Sequence, residues 1–242
     1  MKCIIIAVGL VTRLLPITNI TKKHLLPVHD KPMIYYPIQT LINAGIRDIL
    51  IVTGGNHAGD FLRLLGNGSE FGLGHINYTY QEGEGGIAEA LRLAEYFAGE
   101  ERICVVLGDN IIEKNILRTA QAFKSQPSGA KILLKEVPDP ERFGVPVLEG
   151  NRVVKIEEKP QKPRSKYAVT GIYMYDNTVF DIIRTLKPSG RGELEITDVN
   201  NAYIERGELT WDILDGWWTD AGTFESLRKA GNLVADGGAN RI

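Results

Sequence analysis

The sequence opens with an unbroken apolar run, residues 3–8 (C-I-I-I-A-V), that is rich in β-branched side chains. A run of this length and composition predicts one buried β-strand. Gly9 interrupts the run, and the basic residues Arg13, Lys22 and Lys23 follow it closely. In α/β proteins, backbone N–H groups and cations converge on phosphate at the carboxyl end of such a strand. The start of the chain therefore predicts an α/β fold with an anion-binding loop after its first strand.

Short apolar strands and helical patterns alternate through the first half of the chain. Gly54 and Gly55 end the second strand, and Gly45 supplies a stop for the first helix. This rhythm predicts a doubly wound, mostly parallel (mixed) sheet with helices on both faces. The predicted strands cover residues 49–53, 76–81 and 103–107, and the predicted helices cover residues 34–45, 60–65 and 88–97.

The second half of the chain has a different texture. Residues 131–137 and 152–157 alternate apolar and polar side chains, with a turn at Gly150 and Asn151, which predicts antiparallel strands. A further strand over residues 169–175 and helices over 198–206 and 224–235 follow. We therefore expect a single domain over residues 1–242, with one half at about 1–125 and a smaller antiparallel half at about 126–242.

Composition limits the classes of partner. The net charge of −2, with 43% apolar and 24% charged residues, is typical of a soluble globular protein without general attraction to nucleic acid or anionic membranes. No apolar run approaches the roughly 18 residues of a membrane span. Cys3 and Cys104 fall in predicted buried strands without a C-x-x-C pair, so we expect two reduced thiols and a cytoplasmic protein.

Polar residues stand where two of the predicted strands end. Asp109 follows the fourth strand, at the edge where α/β sheets place their ligands, although an aspartate before Asn110 is also common in simple turns. The loop that begins at Gln81 and contains Gly85 and Gly86 follows the third strand. Its spacing alone slightly favours a flexible loop before a helix. The residues by themselves leave both alternatives open.

Seven short motifs give the chain a resemblance to a known family. In this order they resemble the sugar-1-phosphate nucleotidyltransferases, and the resemblance spans nearly the whole chain. It implies a Rossmann-like fold and a reaction that joins a sugar-1-phosphate to a nucleoside triphosphate and releases pyrophosphate. The motifs are V-G-L-V-T-R-L-L-P-I-T (8–18), K-H-L-L-P (23–27), L-G-D-N (107–110), E-R-F-G-V (141–145), E-K-P (158–160), T-G-I-Y (170–173) and W-T-D-A-G-T (218–223).

The resemblance also implies a role for individual residues. It implies a catalytic role for Arg13, Lys23 and Lys159, nucleotide binding by Gly9, Thr12, Gln81, Gly85, Gly86, Asp109 and Asn110, sugar binding by Gly144, Glu158, Thr170, Gly171 and Arg191, and metal binding by Asp109 and Asp220. Gln81 would pair with the pyrimidine edge, and Lys159 would bind the sugar phosphate. The metal implied is Mg²⁺, which prefers oxygen ligands and usually takes only one or two carboxylates.

The substrates implied are dTTP, or UTP as an alternative, and glucose-1-phosphate, in a cytoplasmic enzyme that does not bind nucleic acid or membranes. A homo-oligomer, most simply a symmetric dimer, is a reasonable expectation for such an enzyme. Longer members of the family carry a helical C-terminal extension that this chain is expected to lack.

The glycine-rich loop departs from the family pattern, because valine stands at Val8 and Val11 where glycine is usual. Glycine allows close approach to a phosphate and positive φ, whereas a β-branched residue at positive φ is an outlier. Three functions remain open: the transfer from dTTP, the same class of reaction with another nucleotide or sugar, and a catalytically impaired paralogue that binds a sugar nucleotide.

Overall fold

The computed structural model describes residues 1–9 and 12–241, and of Thr12 the backbone only. The strands are β1 (Lys2–Ala7), β2 (Pro27–Val28), β3 (Lys31–Pro32), β4 (Ile49–Gly54), β5 (Ile76–Gln81), β6 (Ile103–Leu107), β7 (Asn110–Ile112), β8 (Ala130–Glu136), β9 (Gly144–Glu149), β10 (Arg152–Glu158), β11 (Tyr167–Tyr175), β12 (Leu209–Ile213) and β13 (Trp218–Asp220). The helices are α1 (Tyr35–Asn43), α2 (Ala58–Leu65), α3 (Ile87–Arg92), α4 (Glu95–Ala98), α5 (Leu117–Ser125), α6 (Val179–Thr185), α7 (Ile196–Glu205) and α8 (Phe224–Gly237).

A seven-stranded mixed sheet forms the centre of the molecule, in the order β12-β8-β11-β6-β1-β4-β5. Strands β6, β1, β4 and β5 are parallel, whereas β11 runs antiparallel to both β6 and β8. Two-stranded antiparallel pairs, β9 with β10 and β7 with β13, flank this sheet. The expected mixed α/β fold is thus confirmed, and strands from both halves of the chain join in one continuous sheet.

Strand β1 lies in the middle of the sheet because its side chains are apolar on both faces. Cys3, Ile5 and Ala7 pack in one core cluster together with side chains of α1, α2 and α5. Ile4 and Ile6 pack on the opposite face with side chains of α3, α6 and α7. This alternation is the period of two that a strand imposes, and each fully buried isoleucine stabilises the fold by roughly 1.5–3 kcal/mol.

Several elements differ from the sequence-based expectation. The helix expected over residues 88–97 is interrupted and forms α3 and α4 instead. Helices α5 and α6 and strand β12 were not predicted. In α5 only Ala120 and Phe123 are buried, so its apolar pattern is too sparse to recognise in the sequence.

The expected loop after β1 contains three short 3₁₀ turns, at Thr12–Leu14, Ile17–Asn19 and Lys23–Leu25. Gly9, at the start of this segment, has a φ of +96°, a conformation that glycine adopts readily. The last of the three turns brings Lys23 back to the carboxyl end of the sheet.

The two cysteines lie opposite each other on β1 and β6 and are fully buried as free thiols, as the sequence predicted. The Cys3 thiol donates to the carbonyl of Cys104. In the described part of the chain, no helix combines the length and the apolar character that crossing a membrane requires.

Candidate active site

A cavity of about 250 Å³ opens at the carboxyl ends of β1 and β6. Parallel α/β sheets bind their ligands at this edge, because the loops that follow the strands converge there. The cavity also reaches β9, β10 and β11, so both halves of the chain line it. Nine of the predicted site residues line this cavity, namely Arg13, Lys23, Asp109, Asn110, Gly144, Glu158, Lys159, Gly171 and Asp220.

Two carboxylates meet in this cavity. Asp109 follows β6, and Asp220 ends β13, which pairs with β7 so that Asp220 lies opposite Asn110. A β-carbon placed on Gly222 would lie 3.2 Å from Asp220 Oδ2 and 3.7 Å from Asp109 Oδ2, so these oxygens are within about 7 Å of each other. The two carboxylates therefore converge on one place from separate elements.

The chain after Asp220 is fixed by the start of α8. Thr223 Oγ1 accepts a hydrogen bond from the Ser226 N–H at 3.1 Å, and Ser226 Oγ accepts one from the Thr223 N–H at 3.0 Å. Such a reciprocal capping box stabilises a helix start, where losing the cap costs about 1 kcal/mol. The Ala221 N–H donates to the carbonyl of Asp109 at 2.9 Å, which ties the two carboxylate segments together.

Asp109 is held in its ionised form by two neighbouring side chains. Lys23 Nζ donates to Asp109 Oδ2 at 2.5 Å, and Asn110 Nδ2 donates to Asp109 Oδ1 at 2.9 Å. Burial by itself raises the pKa of Asp109, but the charge of Lys23 and these hydrogen bonds outweigh burial and lower the pKa to about 2. The carboxylate therefore carries its full negative charge at neutral pH.

Asp220 is held by Arg142, a residue that the sequence analysis did not select. Arg142 Nη2 lies 3.4 Å from both Asp220 oxygens, while its Nη1 donates to Asp139 at 2.7 Å and its guanidinium covers the Phe143 ring. Burial and then the charge of Asp109 raise the pKa of Asp220, whereas Arg142 acts in the opposite direction. The E-R-F-G-V motif at residues 141–145 was the signal that could have identified Arg142.

The donor set fits a hard divalent cation. Asp109 and Asp220 offer carboxylate oxygens, and the described residues contain no cluster of three or more His, Cys, Asp or Glu side chains that could hold a metal. Mg²⁺ is commonly held by one or two carboxylates with substrate phosphates and water in its other positions, whereas structural zinc requires four nitrogen or sulfur ligands. This pair of carboxylates therefore suits a hard divalent cation that also binds substrate phosphates.

Glu158 forms the other side of the cavity. Thr197 Oγ1 donates to Glu158 Oε2 at 2.6 Å, and Arg191 Nη2 lies 3.5 Å from Glu158 Oε1. A β-carbon on Gly144 would lie 3.2 Å from Ile156 Cγ2 and 3.6 Å from Glu158 Oε2, so Gly144 lies directly beside this carboxylate. Thr197, which the sequence analysis missed, fixes the orientation of Glu158 from the start of α7.

Lys159 lies next to Glu158 on the rim of the cavity, with its Nζ 3.6 Å from Glu158 Oε1. Its backbone has a φ of +44°, which is unusual for a residue with a β-carbon, and its N–H donates to the Phe143 carbonyl at 3.0 Å. Such conformations cost an L-residue about 1–2 kcal/mol and are concentrated at functional sites. The turn after β10 thus presents Lys159 in a conformation that its sequence does not reveal.

The two lysines of the first loop have different positions. Lys23 lines the cavity, whereas Lys22 is almost fully buried outside it, with Nζ 3.5 Å from the carbonyl of Gly9 and beside Gly55. Burial lowers the pKa of Lys22. Lys22 therefore connects the loop that follows β1 with the turn that follows β4. Of this pair of lysines, only Lys23 lines the cavity.

Val8 lines the cavity without backbone strain, since it is not among the residues with positive φ. The concern that a β-branched residue would be strained here is therefore wrong for Val8, and only the volume of its side chain remains to be considered. Val11, the second departure from the family pattern, lies outside the described residues.

The loop expected to bind the nucleobase is held by internal contacts. Gln81 is buried, and its Nε2 donates to the Gly86 carbonyl at 3.2 Å and to Glu89 Oε2 at 2.6 Å. Gly86 has a φ of +90°, and a β-carbon there would lie 2.6 Å from the Leu194 carbonyl. The buried side chain of Gln81 thus stabilises the conformation of this loop. Its contact with a base stays a prediction.

Three further predicted residues lie apart from the cavity or at its edge. Thr170 is fully buried and its hydroxyl donates to the Leu133 carbonyl at 3.0 Å, which gives it a role inside the sheet rather than at a sugar. Arg191 reaches the site only through Glu158 and pairs with Glu195 at 2.9 Å. The side chain of Thr12 lies outside the described residues.

His24 is a cavity residue that sequence reasoning did not select. It is almost fully buried, and its Nδ1 has no hydrogen-bond partner among the residues that the structure describes. Burial, and then the positive charge of Lys23, hold the pKa of His24 well below its usual value. The imidazole is therefore neutral and adds no charge beside Lys23 and Asp109.

The chain is similar to proteins of known family along almost its whole length. A model described as "Nucleotidyl transferase" matches residues 2–237. Glucose-1-phosphate thymidylyltransferases of Neisseria meningitidis and Mycolicibacterium smegmatis are 49% and 45% identical to it, each over 97% of this chain and 82% of the relative.

Solved structures agree with these relatives. A Bacillus anthracis protein assigned as a glucose-1-phosphate thymidylyltransferase, solved in complex with a sucrose, has a TM-score of 0.94 at 52% identity and covers 98% of this chain and 96% of that chain. A UDP-glucose pyrophosphorylase complexed with UDP-glucose has a TM-score of 0.83 at 25% identity, with 97% of this chain and 98% of that chain covered. The chain belongs to the nucleotidyl transferase family.

Proposed function

We propose that this protein is a glucose-1-phosphate thymidylyltransferase, an enzyme that transfers the thymidylyl group of dTTP to glucose-1-phosphate and releases pyrophosphate. The observation that carries the proposal is the placement of Asp109, Asp220, Lys23 and Lys159 around one cavity. Carboxylates on one side and cations on both sides suit two phosphorylated substrates. The names of the relatives supply the choice of nucleotide and sugar.

The reaction requires positioning more than acid–base chemistry. An oxygen of the sugar phosphate attacks the α-phosphorus of dTTP, the bond to the bridging oxygen of the β-phosphate breaks, and pyrophosphate leaves with the electron pair. The attacking oxygen is already anionic at neutral pH, so the enzyme needs no general base. The enzyme must instead hold the two anionic substrates in line and offset the repulsion between them.

Basic side chains in the cavity meet that need on opposite sides. Lys23 and Arg13 lie where β1 ends and suit the triphosphate, and Lys159 lies across the cavity and suits the phosphate of the sugar. Glu158, which Thr197 orients, offers a fixed acceptor for sugar hydroxyl groups. A neutral ring with many hydroxyl groups is recognised by such acceptors, because a site that leaves them unpaired loses binding energy.

A divalent cation is part of the proposal. The family generally uses one, and Asp109 and Asp220 are the residues that would hold it. When bound, Mg²⁺ supplies neutralisation of phosphate charge and a template for in-line geometry. Both carboxylates would have to exchange a contact with a basic side chain, Lys23 or Arg142, for a contact with the ion.

The test is release of pyrophosphate from dTTP, UTP and CTP, each with glucose-1-phosphate and Mg²⁺. We expect the fastest release with dTTP, formation of a nucleotide sugar in equal amount, and loss of activity with EDTA. Glucose-6-phosphate is the matched control, because it carries the same groups with the phosphate displaced from the anomeric carbon. Faster release with UTP would assign the chain to uridylyl transfer, and no release with any nucleotide would overturn the proposal.

We also propose that the protein acts in the cytoplasm as a homo-oligomer. A reducing compartment suits its two free thiols, and symmetric dimers are the commonest assemblies of such enzymes. Light scattering during gel filtration would measure the assembly, and a mass equal to one chain would contradict the oligomer.

A further inference from the structure

The side chain of Asn110 connects an indole to a carboxylate of the active site. Asn110 Oδ1 accepts hydrogen bonds from Trp218 Nε1 at 2.7 Å and from the Gly171 N–H at 2.9 Å. Asn110 Nδ2 donates to Asp109 Oδ1 at 2.9 Å. Asn110 is only 3% exposed and Trp218 7% exposed, so water contributes little to either group.

The chemistry of the donors fixes the direction of this connection. An indole N–H and a backbone N–H donate and do not accept, so both require the oxygen of the Asn110 amide. Rotating the amide by a half turn would set its NH₂ group against two N–H donors and leave buried groups unpaired. Trp218 and Gly171 therefore oblige Asn110 to present its NH₂ group to Asp109.

The two oxygens of Asp109 consequently have different hydrogen-bond partners. Oδ1 is bound by Asn110, whereas Oδ2 is bound by Lys23 and lies within about 7 Å of Asp220 Oδ2, on the side of Gly222. Because the carboxylate is planar, holding Oδ1 also sets the direction of Oδ2. The uncharged side chain of Asn110 thus determines the orientation of this carboxylate.

We propose that Trp218 and Asn110 are positioning residues that turn Asp109 so that its Oδ2 faces Asp220 and the divalent cation. This inference rests on the proposed function, because it concerns the divalent cation of the same cavity. Gly171 belongs to this arrangement, because a β-carbon there would lie 2.5 Å from Asn110 Nδ2. Its contact with the sugar stays a prediction, and the close approach of Asn110 is a second reason for glycine at this position.

The test removes one N–H group. Trp218→Phe keeps an aromatic ring and deletes the donor, and the matched control is Trp211→Phe, whose indole donates to the Asn151 carbonyl at 3.2 Å outside the cavity. Binding of Mn²⁺ alone is measured by water proton relaxation. Changing a residue that orients a metal ligand typically weakens metal binding 10–100-fold, so we expect about tenfold weaker binding for Trp218→Phe and no change for Trp211→Phe.

A second variant guards against a simple loss of folding. If Trp218→Phe is unfolded by circular dichroism, Asn110→Ala decides, with the same tenfold weakening expected. Unchanged Mn²⁺ binding in a folded variant of either kind would overturn the proposal. Absence of Mn²⁺ binding to the unaltered protein would overturn it as well.

A further readout needs neither metal nor substrate. The indole N–H signals of the three tryptophans are recorded by ¹⁵N-resolved NMR, and each is assigned from its phenylalanine variant. We expect Asp109→Asn to shift the Trp218 signal, because Asn110 loses its charged acceptor, and to leave the Trp211 signal unmoved. A shifted Trp218 signal in a protein that releases no pyrophosphate would support the positioning and reject the proposed function, whereas an unmoved signal would reject the positioning alone.

Discussion

The two sides of the cavity are built differently. On the side of Asp109, the side chains of Lys23 and Asp109 are only 13% and 14% exposed. On the side of Glu158, which is 30% exposed, the cations Lys159 and Arg191 are 46% and 45% exposed. The first side is closed, with Lys23 Nζ 2.5 Å from Asp109 Oδ2, whereas the second is open, with its two cations 3.5–3.6 Å from Glu158 Oε1.

This difference indicates how binding energy is divided. Exposed ion pairs contribute about 0–1 kcal/mol, so Lys159 can leave Glu158 for a phosphate at little cost. Groups held in a buried network do not reorganise during the reaction and stabilise developing charge more strongly. We therefore expect changes on the side of Asp109 to lower kcat and changes on the side of Glu158 to raise KM for the sugar phosphate.

The largest effect is expected for Asp220→Asn. The substitution keeps size and removes the charge that would hold the cation, so kcat should fall by about 10²–10³, as for the loss of one preorganised stabilising group. Asp212→Asn is the control, because Asp212 lies on the edge strand β12, does not line the cavity, and pairs with Lys131 of β8. Pyrophosphate release at saturating substrates measures both. Equal rates for the two variants would contradict the role of Asp220.

On the open side, Lys159→Ala should raise KM for glucose-1-phosphate by about 10–100-fold and KM for dTTP much less, because one charge-assisted hydrogen bond to phosphate is lost. Lys155→Ala is the control: Lys155 lies on β10, the strand that precedes Lys159, and is 63% exposed, with Glu157 as its partner. Initial rates over both substrate concentrations separate the two constants. Equal increases for both substrates would show that Lys159 does not distinguish the two phosphates.

The local features of this cavity were predictable from the sequence, and the contacts between its parts were not. The buried run of β1 and the position of Asp109 after β6 follow from apolar patterning and from where parallel strands end. Most of the remaining site residues were predicted only through the resemblance, since their motifs taken singly match ordinary strands and turns. The cavity brings together nine of all the predicted site residues, Asp109 included.

What the sequence could not reveal are interactions between distant residues. Asn110 meets Gly171 and Trp218, which are 61 and 108 residues away along the chain. The motif that contains Thr170 predicted a sugar contact, but the strand turns this threonine into the sheet. The positive φ of Lys159 likewise depends on how its turn packs against Phe143, which no local pattern encodes.

The closed side should also make stability depend on pH through His24. Burial keeps this imidazole neutral in the folded state, with a pKa well below the usual 6.5. Below pH 6.5 the unfolded chain binds a proton that the folded chain does not, so the free energy of unfolding should fall as the pH decreases. The effect should grow between pH 7 and pH 5, because the histidine of the unfolded chain becomes protonated over this range.

His24→Gln should remove that part of the pH dependence, whereas His75→Gln, at an exposed position, should leave it unchanged. Urea unfolding at pH 7 and at pH 5 measures the difference for each protein. A loss of stability at pH 5 that is the same in His24→Gln as in the unaltered chain would show that another group is responsible.

The smallest effect is expected at Val8, where the family pattern has glycine. The φ of Val8 is not positive, so a glycine there would relieve only the volume that the three side-chain carbons occupy in the cavity. We expect Val8→Ala and Val8→Gly to strengthen dTTP binding in two steps that together amount to about tenfold, since a methylene group in a pocket is worth roughly 1–3 kcal/mol at most. Glucose-1-phosphate binding should stay constant, and isothermal titration measures both ligands. If only the glycine variant binds dTTP more tightly, backbone freedom and not volume limits the nucleotide side of the cavity.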